Sequence, residues 1–207
     1  ILDHHITAEQ SLAGLPYAYF DMKKSGAVLG WEWAHGTSAP WLLQYIQDKD
    51  LWNWALPGSR EINAAIASYP FDFQRWNQFS QPELEQEGRA ILRYEQELVG
   101  KLAAQAIMVE FQGAVIPAVQ SAILTSQIGE RLSPNYPFCL IWHDRDSRRY
   151  FSMRSREDGT DVGSIAASFG GGGHTHAAGF SVPLNGDGSL PSNPDLPRPL
   201  IDRRRTP

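Results

Sequence analysis

From Glu83 to about Glu110 the apolar and small residues keep helical spacing: Leu84, Gly88, Ile91 or Leu92, Leu98, Leu102 and Ala106. Pro82 suits the start of a helix, and Glu83, Glu85 and Glu87 load its first turns with the charge a helix N-terminus favours. A helix of that length separates two stretches that each carry their own strand and turn signals. The chain therefore reads as two α/β units joined by a helix. Residues 1–81 form the C-terminal part of a first, parallel-sheet domain and 82–112 the linker helix. Residues 113–183 form a smaller mixed-sheet α/β domain and 184–207 a disordered tail rich in Pro, Gly, Ser, Asn and Asp.

In the first stretch Ile1-Leu2 reads as the end of a buried strand and Leu15–Phe20 as a second strand. Ser25 is placed to cap a helix over Ala27–Ala34, Pro40 to start one over Trp41–Gln47, and Ser59 to cap one through Ala67. A further short helix is expected within 71–79. In the second stretch Ala114–Val119 is a strand that Pro117 assigns to a sheet edge. A short helix or turn over Gln127–Leu132 follows. Phe138–His143 and Arg149–Met153 make a hairpin around residues 144–148, Asp161 caps a helix over Val162–Phe169, and Ala178–Val182 is the last strand. Arg203-Arg204-Arg205 reads as a solvated basic run.

A net charge of −5 argues against a wholly basic nucleic-acid binder and leaves room for a local basic site. The single cysteine, Cys139, excludes an internal disulfide and a cysteine zinc cluster; its apolar neighbours read as a buried strand. No apolar run approaches the roughly 18 residues of a membrane span. With no signal-peptide pattern either, the expectation is a cytoplasmic protein with no membrane partner. Ile at position 1, running straight into polar residues, reads as the cut edge of a longer chain.

Four groups of residues can carry chemistry. Asp3-His4-His5 stands at the carboxyl end of the first strand, where open α/β sheets place their sites. Adjacent extended residues point opposite ways, so one histidine on a metal and one on a substrate is the natural split. Asp48 and Asp50 end a helix amid Tyr45, Trp52 and Trp54, an apolar setting in which a carboxylate needs a cation. Ser152-Met153-Arg154-Ser155 closes a strand with an arginine suited to phosphate. Gly170-Gly171-Gly172-Gly173-His174 lets backbone N–H groups and an imidazole approach an anion closely, whereas His176 reads as facing solvent.

Together these residues resemble the DHH phosphoesterase superfamily, in its branch with a C-terminal DHHA1 domain. Asp3-His4-His5 is the naming triplet, with Gly26-Ala27 opening a helix after it and Asp48-Lys49-Asp50-Leu51-Trp52 similar to the fourth motif. Ser152–Ser155, Ile165-Ala166 and Phe169–Gly179 are similar to the DHHA1 signature. The match covers residues 1–183 and lies nearest the oligoribonuclease-like or nucleotide-phosphodiesterase subgroup.

The resemblance implies two Mn²⁺, with Mg²⁺ as the substitute, and catalytic roles for Asp3, His4 and His5. His4 would ligate one ion, with Asp48 or Asp50 as the fourth-motif ligand. His5 would meet the scissile phosphate, and Asp3 would orient His4. Arg154, Ser155, Gly172, Gly173 and His174 would bind substrate, as the second domain closes over the first. The substrate would be short RNA or DNA, or a linear or cyclic dinucleotide, with a homodimer among the open oligomeric states. The family's first and second metal motifs lie upstream of the triplet and have no counterpart here, so residues 1–207 alone are expected to bind metal weakly and turn over little. The alternatives are a non-catalytic nucleotide- or nucleic-acid-binding module and a phosphoanhydride hydrolase.

Overall fold

A computed structural model of the chain describes residues 1–200. The basic run at 203–205 lies outside the described residues. The fold is α/β, as expected, in two compact units, Ile1–Glu97 and Leu98–Pro207.

The first unit opens with β1 (Leu2–Asp3), a short helix α1 (Ile6–Ser11) and β2 (Tyr19–Phe20). The two strands pair in parallel, Leu2 opposite Tyr19 and Asp3 opposite Phe20, so only the end of the expected 15–20 strand forms. Helix α2 (Gly26–His35) begins where Ser25 caps it, the Ser25 hydroxyl accepting from the Val28 N–H, and stops at left-handed Gly36. Helix α3 (Trp41–Asp50) starts after Pro40. Helix α4 (Ser59–Ser68) has Gly58, not Ser59, at its N-cap, because the Ser59 hydroxyl is drawn to Asp48. Asp72 caps α5 (Phe73–Trp76) through the Gln74 and Arg75 N–H groups. The core lies between α3, α4 and α6 (Gln81–Ala103): Tyr45, Ile62, Ala65, Ile66 and Leu84 are buried together.

Helix α6 ends at Ala103 rather than near Glu110. The residues beyond it form β3 (Ile107–Phe111), in which Val109 and Phe111 are buried and Glu110 is exposed. Gln112 and Gly113, both left-handed, turn β3 into β4 (Ala114–Gln120), a two-residue hairpin loop. β4 is not an edge strand: β3 flanks it on one side and β5 on the other. Pro117 is tolerated because the parallel ladder to β5 starts only at Ala118, leaving Pro117 opposite Met108 of β3 alone. Helix α7 (Thr125–Leu132) leads to β5 (Cys139–Arg145) and β6 (Arg148–Arg154), whose hairpin turns on Asp146 and Ser147 alone. Asp161 caps α8 (Val162–Ser168) by accepting from the Ser164 N–H. β7 (Gly172–His174), β8 (Ala177–Pro183) and β9 (Arg198–Pro199) complete a mixed seven-stranded sheet of order β7-β8-β6-β5-β4-β3-β9.

Both faces of this sheet are covered, and β5 shows how. Leu140 joins Phe111, Phe138, Met153, Val162 and Phe180 on one face, while Cys139 and Ile141 join Val99, Val119 and Ile128 on the other. The segment from Leu184 to Leu200, expected to be disordered, is part of this unit. Leu196 is buried in the first of those cores, and Arg198 and Pro199 pair with β3. Its proline content, which suppresses helical and strand periodicity, does not prevent one leucine from docking.

Candidate functional site

The Asp3-His4-His5 stretch leaves the parallel strand pair and turns at once into α1, with His5 as the N-cap. Asp3 Oδ1 drives the turn: it accepts from the His4 N–H at 2.7 Å, the His5 N–H at 3.3 Å and the His5 ring Nδ1 at 2.7 Å. A carboxylate only accepts, so Nδ1 of His5 carries the proton and Nε2 is directed elsewhere. Burial alone would raise the Asp3 pKa. The His5 ring and the two backbone N–H groups outweigh that and hold it below 3.8, the usual aspartate value.

Two expectations change here. The ring that Asp3 fixes is that of His5, and the two rings do not point opposite ways but lie 4.4 Å apart, tilted by 34°. The extended strand ends at Asp3, so the alternation of strand side chains no longer applies. His4 is buried, whereas the His5 side chain is 44% exposed.

The two aspartates of α3 behave differently. Asp48 is buried, and both its oxygens are engaged, Oδ1 by the Ala55 N–H at 3.0 Å and Oδ2 by the Leu56 N–H at 3.1 Å. The Ser59 hydroxyl adds a third bond; burial raises the Asp48 pKa, but these bonds together hold it below the usual 3.8. Protein donors thus meet much of its charge. Asp50 has a 46% exposed side chain, and its Oδ2 stands 3.4 Å from Nε2 of buried His4.

Between these aspartates and α4 the backbone is strained. Trp52 and Trp54 have φ of 58° and 52°, a left-handed conformation that costs a bulky residue about 1–2 kcal/mol. Asp48 holds the strap: its carbonyl accepts from Asn53 N–H at 2.9 Å and Trp54 N–H at 3.4 Å, and its carboxylate takes the next two N–H groups.

In the second unit the Arg154 guanidinium donates to the Met153 carbonyl at 2.8 Å and the Ser126 hydroxyl at 3.0 Å. Its aliphatic stem fills the space above Gly129, where an added Cβ would lie 2.3 Å from Arg154 Cγ. The Ser155 hydroxyl donates to the Thr160 carbonyl at 2.6 Å and lies 3.0 Å from His176 Nδ1. Its one proton is spent on Thr160, so His176 Nδ1 must be the donor in the second bond. His176 therefore supports Ser155 rather than simply facing solvent, a role that residue spacing did not reveal.

Gly172, Gly173 and His174 form β7 at the sheet edge, opposite Gly179, Ala178 and Ala177 of β8. Glycine is required there by close packing: a Cβ on Gly173, whose φ is 140°, would fall 2.5 Å from the Ala177 carbonyl, and one on Gly171 2.2 Å from that of Gly179. The second half of the glycine run, Gly172-Gly173, is thus strand pressed onto its neighbour, while Gly170 remains an exposed turn. No described helix is long and apolar enough to cross a membrane.

No model of a known protein family matches the chain. An uncharacterized protein of Acanthamoeba polyphaga mimivirus is 29% identical over 197 residues, covering 87% of the chain and 47% of that protein. The chain therefore spans about half the length of this curated relative. A solved structure of an uncharacterized Helicobacter pylori protein is 14% identical, with a TM-score of 0.31 over 87% of this chain and 67% of that one. The pGpG-specific phosphodiesterase PggH of Vibrio cholerae is 13% identical, with a TM-score of 0.39 over 82% of this chain and 76% of that one.

Proposed function

We propose that the chain is part of a metal-dependent phosphoesterase of the DHH kind, hydrolysing phosphodiesters in short oligonucleotides or in linear or cyclic dinucleotides. The observation that carries this reading is the approach of His4 Nε2 to Asp50 Oδ2, 3.4 Å, beside a triplet that also presents His5. Two ligands of one small divalent ion, each at about 2.1 Å and at right angles, stand about 3.0 Å apart. The pair would need to move by only a few tenths of an ångström, and an imidazole with a carboxylate suits Mn²⁺ or Mg²⁺.

In this reading Asp50, not Asp48, is the fourth-motif ligand, and Asp48 positions the segment behind it. When bound, such ions supply an activated water and neutralise charge on the phosphoryl group. His5, its Nδ1–H fixed by Asp3, would offer Nε2 to a phosphate oxygen. Arg154, Gly172, Gly173 and His174 would bind the nucleotide end of the substrate, with Ser155 held in support by His176. His4 and Asp50 would supply two ligands, and a two-ion site would need more than these two.

The test has two parts. Mn²⁺ binding by the chain, followed by the loss of the free-ion signal in electron paramagnetic resonance, should weaken at least tenfold in His4→Ala and in Asp50→Ala. Unchanged binding in either would remove that ligand from the site. The full-length protein, assayed with Mn²⁺, should hydrolyse a dinucleotide or cyclic dinucleotide and lose turnover in His4→Ala and His5→Ala. Preference for pyrophosphate would overturn the diester reading, and binding without turnover would favour a non-catalytic module.

A further inference from the structure

Two tryptophans in left-handed backbone within three residues call for a reason, because neither position gains stability from it. The Trp52 and Trp54 rings meet edge to face at 5.0 Å, and the Arg60 guanidinium lies 4.4 Å over the Trp54 ring. Trp54 Nε1 is buried with no hydrogen-bond partner among the described residues, a second departure from a stability optimum in one short segment. Trp52 is 37% exposed, while Asp48, which straps the segment, is buried. Only Leu51 separates the segment from Asp50. Two peptide units separate Trp52 from Asp50, at most about 7.6 Å between Cα atoms, short enough for one nucleotide to touch both.

We propose that the Trp52–Trp54 segment is a preformed stacking platform for a nucleobase of the substrate, with the Trp52 ring as its contact face and Trp54, backed by Arg60, holding that ring in place. This rests on the phosphoesterase reading of His4 and Asp50. Every base has a π-face, so the platform selects nucleotides over baseless phosphates without choosing among bases. The backbone strain keeps the ring presented before substrate arrives, and Asp48 is the positioning residue that holds it there.

The test compares adenosine 5′-monophosphate with ribose 5-phosphate, which lacks only the base, by calorimetric titration of the full chain in Mn²⁺. The wild-type chain should bind the nucleotide at least tenfold more tightly. Trp52→Ala and Trp52→Gly should bring the two affinities together, and Trp52→Phe should keep most of the preference. Ribose 5-phosphate should bind all four proteins equally. Trp52→Gly relieves the left-handed backbone, so its Tm should not fall, which separates a lost ring from a lost fold. Equal nucleotide affinity in Trp52→Ala and wild type, or a wild type that does not prefer the nucleotide, would overturn the platform. The phosphoesterase reading fails separately, if hydrolysis of bis(p-nitrophenyl) phosphate, a diester with no base, by the full-length protein is insensitive to His4→Ala.

Discussion

Replacing Asp48 by asparagine separates a structural aspartate from a ligand. The carboxylate accepts from the Ala55 N–H, the Leu56 N–H and the Ser59 hydroxyl in a buried setting. An asparagine oxygen keeps one of the two backbone bonds, and its amide nitrogen then opposes the other N–H. Losing a charge-assisted bond and stranding a buried donor comes to about 3 kcal/mol. Six of the seven tryptophans precede residue 77, so tryptophan emission during urea unfolding reports the first unit. With a urea m-value of about 1.5 kcal/mol per molar, the midpoint should fall by about 2 M. Asp50→Asn, at a half-exposed side chain, should cost less than about 0.5 kcal/mol, about 0.3 M in midpoint, while weakening Mn²⁺ binding. The pH dependence follows from the sign of the shift. The folded Asp48 pKa lies below 3.8, so its contribution is fully present above that value and is lost as pH falls through the folded pKa. The midpoint gap between wild type and Asp48→Asn should accordingly be constant near neutrality and narrow in acid. A wild-type midpoint in Asp48→Asn, with a large fall in Asp50→Asn, would refute the division of roles.

Burial pushes the Cys139 thiol up to about 12, so at pH 8 roughly one thiol in ten thousand is ionised; a thiol-exchange reagent should label the chain only in denaturant, and rapid labelling of the native protein would contradict this. Leu196→Ala should destabilise the second unit by about 2–4 kcal/mol, read by circular dichroism in urea, whereas a leucine without a packing role would leave the midpoint unchanged. Gly173→Ala should lower the Tm of the ligand-free chain, by the equivalent of about 1–3 kcal/mol, because its Cβ would collide with the Ala177 carbonyl. An unchanged Tm would show that the glycine is kept for another reason.

Features decided within a few residues were legible in the sequence. Ser25 and Asp161 cap the helices they were expected to cap, because a side-chain oxygen three positions from the N–H that donates to it needs no tertiary information. β3 was hidden because Leu98, Leu102 and Ala106 carry the helical period up to the strand, and the hairpin signal at Gln112-Gly113 read equally well as a helix end. β7 was hidden because glycines have no side-chain pattern to alternate. In the site, the triplet and the neighbourhood of Asp48 and Asp50 could be read, but not how the two aspartates differ. That difference is made by the N–H groups of residues 55 and 56, which the fold brings back to Asp48 alone. The left-handed tryptophans had no signal at all, since bulky residues are the last to be expected there.

The last described strand, two residues long, has a bearing on how the protein survives at high concentration. Without β9, β3 would end the sheet with a bare row of amide and carbonyl groups, a template onto which another molecule's strand could add. Arg198 and Pro199 occupy part of that row, and Pro191, Pro194 and Pro197 precede them. Proline has no N–H to offer, so a chain that seals the edge in this way provides a poor surface for the next strand. A segment whose composition argues against structure can thereby act as a stopper against cross-molecular sheet growth.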